Sequence, residues 1–195
     1  MTPVTIAIVF HSGYGHTERQ AHAVRRGAEK VPDATVLLLT SEQAQGRWDD
    51  LARADAIVFG APTYMGGASG QFKTFMDASS KAFFSGAWKD KIAAGFTNSA
   101  SQSGDKLGTL IQFAILAAQH GMHWVSLGLA PGGNKSTASP QDLNRLGFFL
   151  GAGAQSNADQ GPDVAPPEAD LLTAEHLGER VATVTAQFVR GRAAV

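Results

Sequence analysis

The chain has 195 residues, of which 44% are apolar and 17% charged, enough for one compact domain and too few for two ordinary domains with a linker. Lys and Arg number 16 against 17 Asp and Glu, a formal charge of −1, without the basic excess of a nucleic-acid binder. The absence of cysteine excludes disulfides, thiol catalysis, thiolate metal sites and cysteine-bound iron–sulfur clusters.

The N-terminal stretch MTPVTIAIVF has no basic region and no small-residue cleavage site. No run approaches the ~20 apolar residues that cross a bilayer, so a cytoplasmic protein without a membrane span is expected. Val4 to Phe10 reads as a strand buried on both faces. Residues 16–31 carry Ala21, Val24 and Ala28 at helical spacing. A second strand is expected at Ala34 to Leu39, a short helix at Trp48 to Ala54 and a third strand at Ala56 to Phe59. Residues 70–84 read as one helix with Phe72, Phe75 and Met76 inward. A fourth strand falls at Lys91 to Phe96, and an apolar helix over 106–120 stops at Gly121. A fifth strand is centred on Val125 to Leu127. Residues 128–170 read as mostly loop, with a short helical turn near Gln141 to Leu150. Leu171 to Arg190 is the last helix. The alternation predicts an α/β fold in a single domain over 1–195: a doubly wound, five-stranded parallel sheet with helices on both faces. Ligands of such sheets bind beyond the C-terminal strand ends.

Three loops fall at that edge. The first, after strand 1, is Ser12, Gly13, Tyr14, Gly15, His16 and Thr17, opening a helix. Its glycines allow a sharp turn, and the helix start with nearby hydroxyls suits a phosphate; a plain capped joint gives the same pattern. A Walker A loop requires a lysine, which does not follow Gly15, and the third glycine of a dinucleotide fingerprint is missing. One phosphate, hence a mononucleotide, fits better. The second loop holds Pro62, Thr63, Tyr64, Met65 and Gly66, with backbone groups, an aromatic and a soft sulfur suited to a flat heteroaromatic ring; a helix entry capped by Ser69 is the simpler alternative. The third holds Asn98, Ser99, Ala100, Ser101, Gln102 and Ser103. His11, His22, His123 and His176 lack convergent partners, so no metal site is expected. Trp88 and Phe84 suit a subunit contact or the core equally.

On these residues the sequence resembles the WrbA family of flavodoxin-like NAD(P)H:quinone oxidoreductases. The matching pieces are S-x-Y-G-H-T at 12–17, PTYMGGASGQFKTFMD at 62–77 and LAAQHGM at 116–122. The resemblance implies a flavodoxin-like fold, FMN held by the three loops, NADPH or NADH as electron donor and a quinone as small-molecule acceptor. It also implies a homo-oligomer, a dimer or tetramer, and a place near the flavin for His120, the candidate catalytic residue. Phe83 stands where the family has a substrate-associated tryptophan, and Gly128 to Ala169 departs from the family pattern. Two other functions fit the composition less well. A flavodoxin-type electron carrier has a strongly acidic surface, which a charge of −1 does not provide. A regulatory protein acting on DNA requires a basic patch or recognition helix, and none is visible.

Overall fold

The Val- and Ile-rich N-terminal run forms β1 (Val4–Phe10), with Ile6 and Ile8 buried on one side and Ala7 and Val9 on the other. Period-2 alternation with both faces apolar is what a central parallel strand requires. In the computed structural model, which describes residues 3–193, there follow α1 (His16–Glu29), β2 (Ala34–Thr40), the short helices α2 (Ser41–Ala44) and α3 (Trp48–Arg53), β3 (Ala56–Tyr64), β4 (Gly67–Ala68), α4 (Gly70–Ala78), α5 (Ser80–Ser85), β5 (Ile92–Ser99), α6 (Lys106–Gln119), β6 (His123–Trp124), β7 (Ala152–Gln155) and α7 (Glu168–Ala193). Parallel pairing sets the order β2-β1-β3-β5-β6, that of the flavodoxin-like doubly wound sheet. The expected fold class holds.

The fifth sheet position differs from expectation. β6 pairs with Ile92 and Ala93, and β7 with Phe96 to Ser99, along the same edge of β5. One strand position is thus filled by two short strands, and the chain between them makes an excursion over residues 125–151. Val125 still bonds Ala93 (2.7 Å), but Leu127 turns to Phe149 (2.9 Å), so Val125 to Leu127 is not the strand expected. Gln141 to Leu150 forms turns rather than a helix. The expected 70–84 helix breaks at Ser79, whose hydroxyl donates to the Met76 carbonyl (2.7 Å).

Each sheet face carries its own core. Under α1 and α7 lie Ile6, Ile8, Val24, Val58, Leu177 and Val181. On the opposite face Phe59, Phe72, Phe75, Trp88 and Phe113 interlock, with Phe72 and Phe113 rings 5.0 Å apart. Trp88 is fully buried, which assigns it to the core. Helices α1 and α7 cross almost backbone to backbone. A Cβ on Gly178 would lie 1.9 Å from the Val24 carbonyl oxygen, and one on Gly27 1.8 Å from that of Glu175.

Candidate functional site

At the C-terminal edge of the sheet, the ends of β1, β3, β5 and β7 surround a cleft of about 1020 Å³. Ser12, Gly13, Tyr14, His16 and Thr17 form one wall, Pro62, Thr63, Tyr64 and Met65 another, and Asn98, Ser99, Ala100 and Ser101 a third. The three loops therefore converge on one space. Gly15, Gly66, Gln102 and Ser103 belong to these loops but do not line the cleft.

The first loop is shaped for a close approach. Gly15 takes φ 85° at the N-terminus of α1 and has no side chain to cap it; the Ser12 hydroxyl accepts the Glu18 N–H at 3.2 Å, and the positive end of the helix faces the cleft beside Ser12 and the buried Thr17. The remaining first-turn N–H groups and the hydroxyl protons of Ser12 and Thr17 are donors matched to a phosphate. A Cβ on Gly13 would meet the Tyr64 hydroxyl at 2.6 Å, so a side chain there would displace the Tyr64 ring across the cleft.

The second loop is a two-residue hairpin turn between β3 and β4. Met65 (φ 49°) and Gly66 (φ 83°) are both left-handed, as a type I′ turn demands. The turn holds the Met65 side chain fully exposed at the cleft rim. Gly66 rests its carbonyl on Gly108 of α6, where a Cβ would come within 2.5 Å. The Thr63 hydroxyl is engaged below the cleft, 2.7 Å from Thr109 and 2.8 Å from Thr97, while Thr97 bonds the Ala61 carbonyl at 2.7 Å. Each hydroxyl has one proton, so the chain runs Thr109 to Thr63 to Thr97 to Ala61. Thr63 is left with its backbone, not its hydroxyl, for a ligand. Ser69 does not cap α4; its hydroxyl pairs instead with His11 Nδ1 at 2.8 Å, and burial lowers the pKa of His11.

A fourth wall joins the three loops. Ser156, Asn157, Ala158, Asp159, Gln160 and the Gly161–Pro162 pair, all following β7, line the cleft together with Gly104. His16 Nε2 meets the Gln160 carbonyl at 2.8 Å, and Arg19 donates to the Pro162 carbonyl at 2.5 Å. Ser156 donates to Asn98 Oδ1 at 2.9 Å. These contacts fasten the wall to the first and third loops. The sequence signal was faint: AGAQ lacks the β-branched residues that mark a strand.

His120 is not brought into this cleft. It lies in a separate hollow of about 220 Å³ with Met76, Phe83 and Gln119, its ring 4.3 Å from that of Trp88. The Ser79 hydroxyl, already donating to Met76, accepts from His120 Nε2 (2.9 Å). That fixes the Nε2–H tautomer and leaves the buried Nδ1 without a partner among the described residues. Burial lowers the His120 pKa, favouring the neutral ring.

A doubly wound sheet with one phosphate-sized donor cluster and an aromatic-lined loop at its switch point defines a mononucleotide-binding flavodoxin-like protein. The NADPH-dependent FMN reductase family matches residues 18–133, and the chain belongs to that family. It is 47% identical over 183 residues to flavodoxin FldP of Pseudomonas aeruginosa, covering 93% of this chain and 96% of that one. It is 31% identical over 201 residues to an NAD(P)H dehydrogenase (quinone) of Rhizobium rhizogenes, covering 94% and 98%. Among solved structures, a flavodoxin, WrbA-like protein from Agrobacterium tumefaciens superposes with a TM-score of 0.73 at 43% identity, over 95% of this chain and 99% of the other.

Proposed function

We propose that this protein is an FMN-dependent oxidoreductase that passes two electrons from NADPH or NADH to a quinone-type acceptor. The observation that carries the reading is the cleft itself: a helix start behind the left-handed Gly15, with the Ser12 and Thr17 hydroxyls beside it, opposite a rim of Tyr64 and Met65. These residues fit FMN. Ser12, Thr17 and the first-turn N–H groups of α1 would hold its phosphate. The backbone of Thr63 to Met65 and of Asn98 to Ser103 would hold the polar edge of its ring, with Tyr14 and Tyr64 against the ring faces. When bound, FMN supplies the capacity to accept and return a hydride.

The chain's own work is then positional. The hydroxyl relay under Thr63 locks the second loop, the hairpin strain at Met65 keeps an apolar side chain at the rim, and the wall at 156–162 narrows access for water. No nucleophile is required. The reading gives His120 no catalytic part within its own chain; it ties the start of α5 to the end of α6. Residues 1–195 are taken as one FMN-binding domain. Among the described residues no helix is long and apolar enough to cross a membrane, and the nicotinamide donor pool points to the cytoplasm. Exposed Phe83, Phe84, Leu107, Ile111 and Ile115 support a homo-oligomer.

The test is the visible spectrum of the purified protein under anaerobic conditions. NADPH or NADH is expected to bleach the flavin bands, and benzoquinone to restore them with one quinone reduced per dinucleotide. The likeness to a protein named a flavodoxin supports a second reading, an electron carrier. A flavin that dithionite reduces but neither dinucleotide does would select the carrier.

A further inference from the structure

The loop between β5 and α6 brings Ser99, Ala100, Ser101 and Gly104 to the cleft, and it is held from behind by a charge. Lys106, the first residue of α6, is completely buried. Its ammonium donates to the carbonyls of Ser101 (2.6 Å) and Gln102 (3.0 Å). A trans peptide points its C=O and N–H in opposite directions. Drawing both carbonyls toward Lys106 therefore turns the N–H groups of Gln102 and Ser103 the other way. Ser99 adds a bond to the Ser101 carbonyl at 3.2 Å, and Gly104 and Asp105, both left-handed at φ 54° and 53°, complete the turn.

A buried ammonium is costly unless it is matched. The carboxylate that acts on Lys106 is Asp170, at the start of α7, and Arg145 opposes it with a like charge. Asp170 is already engaged: it accepts from Arg145 at 2.7 and 2.8 Å and from the Gln155 N–H at 2.9 Å. Neither β5 nor β7 brings a charged residue, and Asp105 is exposed. Two cations and one carboxylate leave one positive charge uncompensated behind the cleft wall. Burial pushes the Lys106 ammonium down to about 8, so its charge is lost just above neutrality.

We propose that Lys106 is a positioning residue of the cofactor cleft, which shapes the 99–104 loop through the Ser101 and Gln102 carbonyls and supplies a buried positive charge that favours an anionic mononucleotide. This rests on the FMN reading above. A bound anion favours the ammonium over the amine, so binding draws a proton onto Lys106, and affinity falls as pH rises from 7 to 9.

Lys106→Met keeps an unbranched side chain without the charge, the kind of buried replacement that proteins tolerate. The full chain is freed of flavin and titrated with FMN by fluorescence quenching at pH 7, 8 and 9. The wild type is expected to lose about tenfold in affinity over that range, while the variant starts about tenfold weaker at pH 7 and stays flat. A flat profile in the variant separates Lys106 from Tyr14, His16, Tyr64 and Asp159, the other titratable groups of the cleft. Hydrogen exchange of the apoproteins is expected to be faster at amides 99–104 in the variant and unchanged in β1 and β3. Equal affinity and equal slope in the two proteins would overturn the proposal. So would a wild type that takes up no proton on binding FMN at pH 8, measured by calorimetry in two buffers, a result that needs no variant. If the wild type binds no FMN at all, the functional reading falls instead, and unchanged exchange at 99–104 then overturns the role of Lys106 in the loop.

Discussion

Thr17 is buried at the first turn of α1 and lines the cleft. Thr17→Ala is expected to weaken FMN about tenfold to hundredfold, the roughly 1.5–3 kcal/mol of a charge-assisted hydrogen bond, with little change in unfolding temperature. Titration of the apoprotein by calorimetry checks it, and unchanged affinity would move the phosphate elsewhere. The position is legible because hydroxyls and glycines between a strand and a helix suit a phosphate, although a capped joint leaves the same pattern, and only the convergence of the three loops on one cleft separates the two. Thr63 was legible as a position but not as chemistry: its hydroxyl points into a relay with Thr97 and Thr109, partners 34 and 46 residues away, which no local pattern reveals. His120 shows the same limit. Its place at a helix end is readable, but the Ser79 hydroxyl and Trp88 ring that hold it come from segments on either side of α5 that only the tertiary fold brings to the end of α6.

Among the elements, the strands of the sheet centre announced themselves, since β1, β3 and β5 are apolar on both faces. The broken edge position did not. Two residues of β6 and four of β7 share it; β6 is too short to show a period, and the small residues of β7 leave none to detect. The wall at 156–162 is illegible for the same reason, since it follows a strand that the sequence does not mark. The α1–α7 crossing depends on two glycines whose meaning appears only in three dimensions. A methyl group on Gly178 would sit 1.9 Å from a backbone oxygen, and backbone cannot rotate aside as a side chain does. Gly178→Ala must push α7 from α1 and disturb the core around Val24, Leu177 and Val181. Its expected cost is about 2 kcal/mol or more, at the upper end for overpacking, read as a lowered urea midpoint at unchanged slope. A midpoint equal to the wild type would show that the helices separate freely. Ala is the better helix former, so a loss of stability here isolates the close contact from intrinsic propensity.

For the whole molecule, the surface carries an apolar feature that the cleft does not explain. Leu107, Ile111 and Ile115 recur every fourth residue on α6 and are 48%, 43% and 55% exposed. Helix α6 carries no charge except the buried Lys106, so its outer face offers nothing to repel a copy of itself across a two-fold axis, where each group meets its own equivalent. The stripe lies beside the Met65–Gly66 turn, which α6 supports, so a second copy seated there would cover apolar surface next to the cleft mouth. The expected mass in light scattering at micromolar concentration is a multiple of 20.4 kDa, a dimer or tetramer. Ile115→Asp places like charges near one another across the axis, and it is expected to shift the mass to the monomer while FMN affinity stays within about twofold, because Ile115 is not in the cleft. A wild type that is already monomeric would leave the stripe without this role. An intact oligomer in the variant would move the interface to the other exposed aromatic pair, Phe83 and Phe84, whose rings lie 5.4 Å apart on α5.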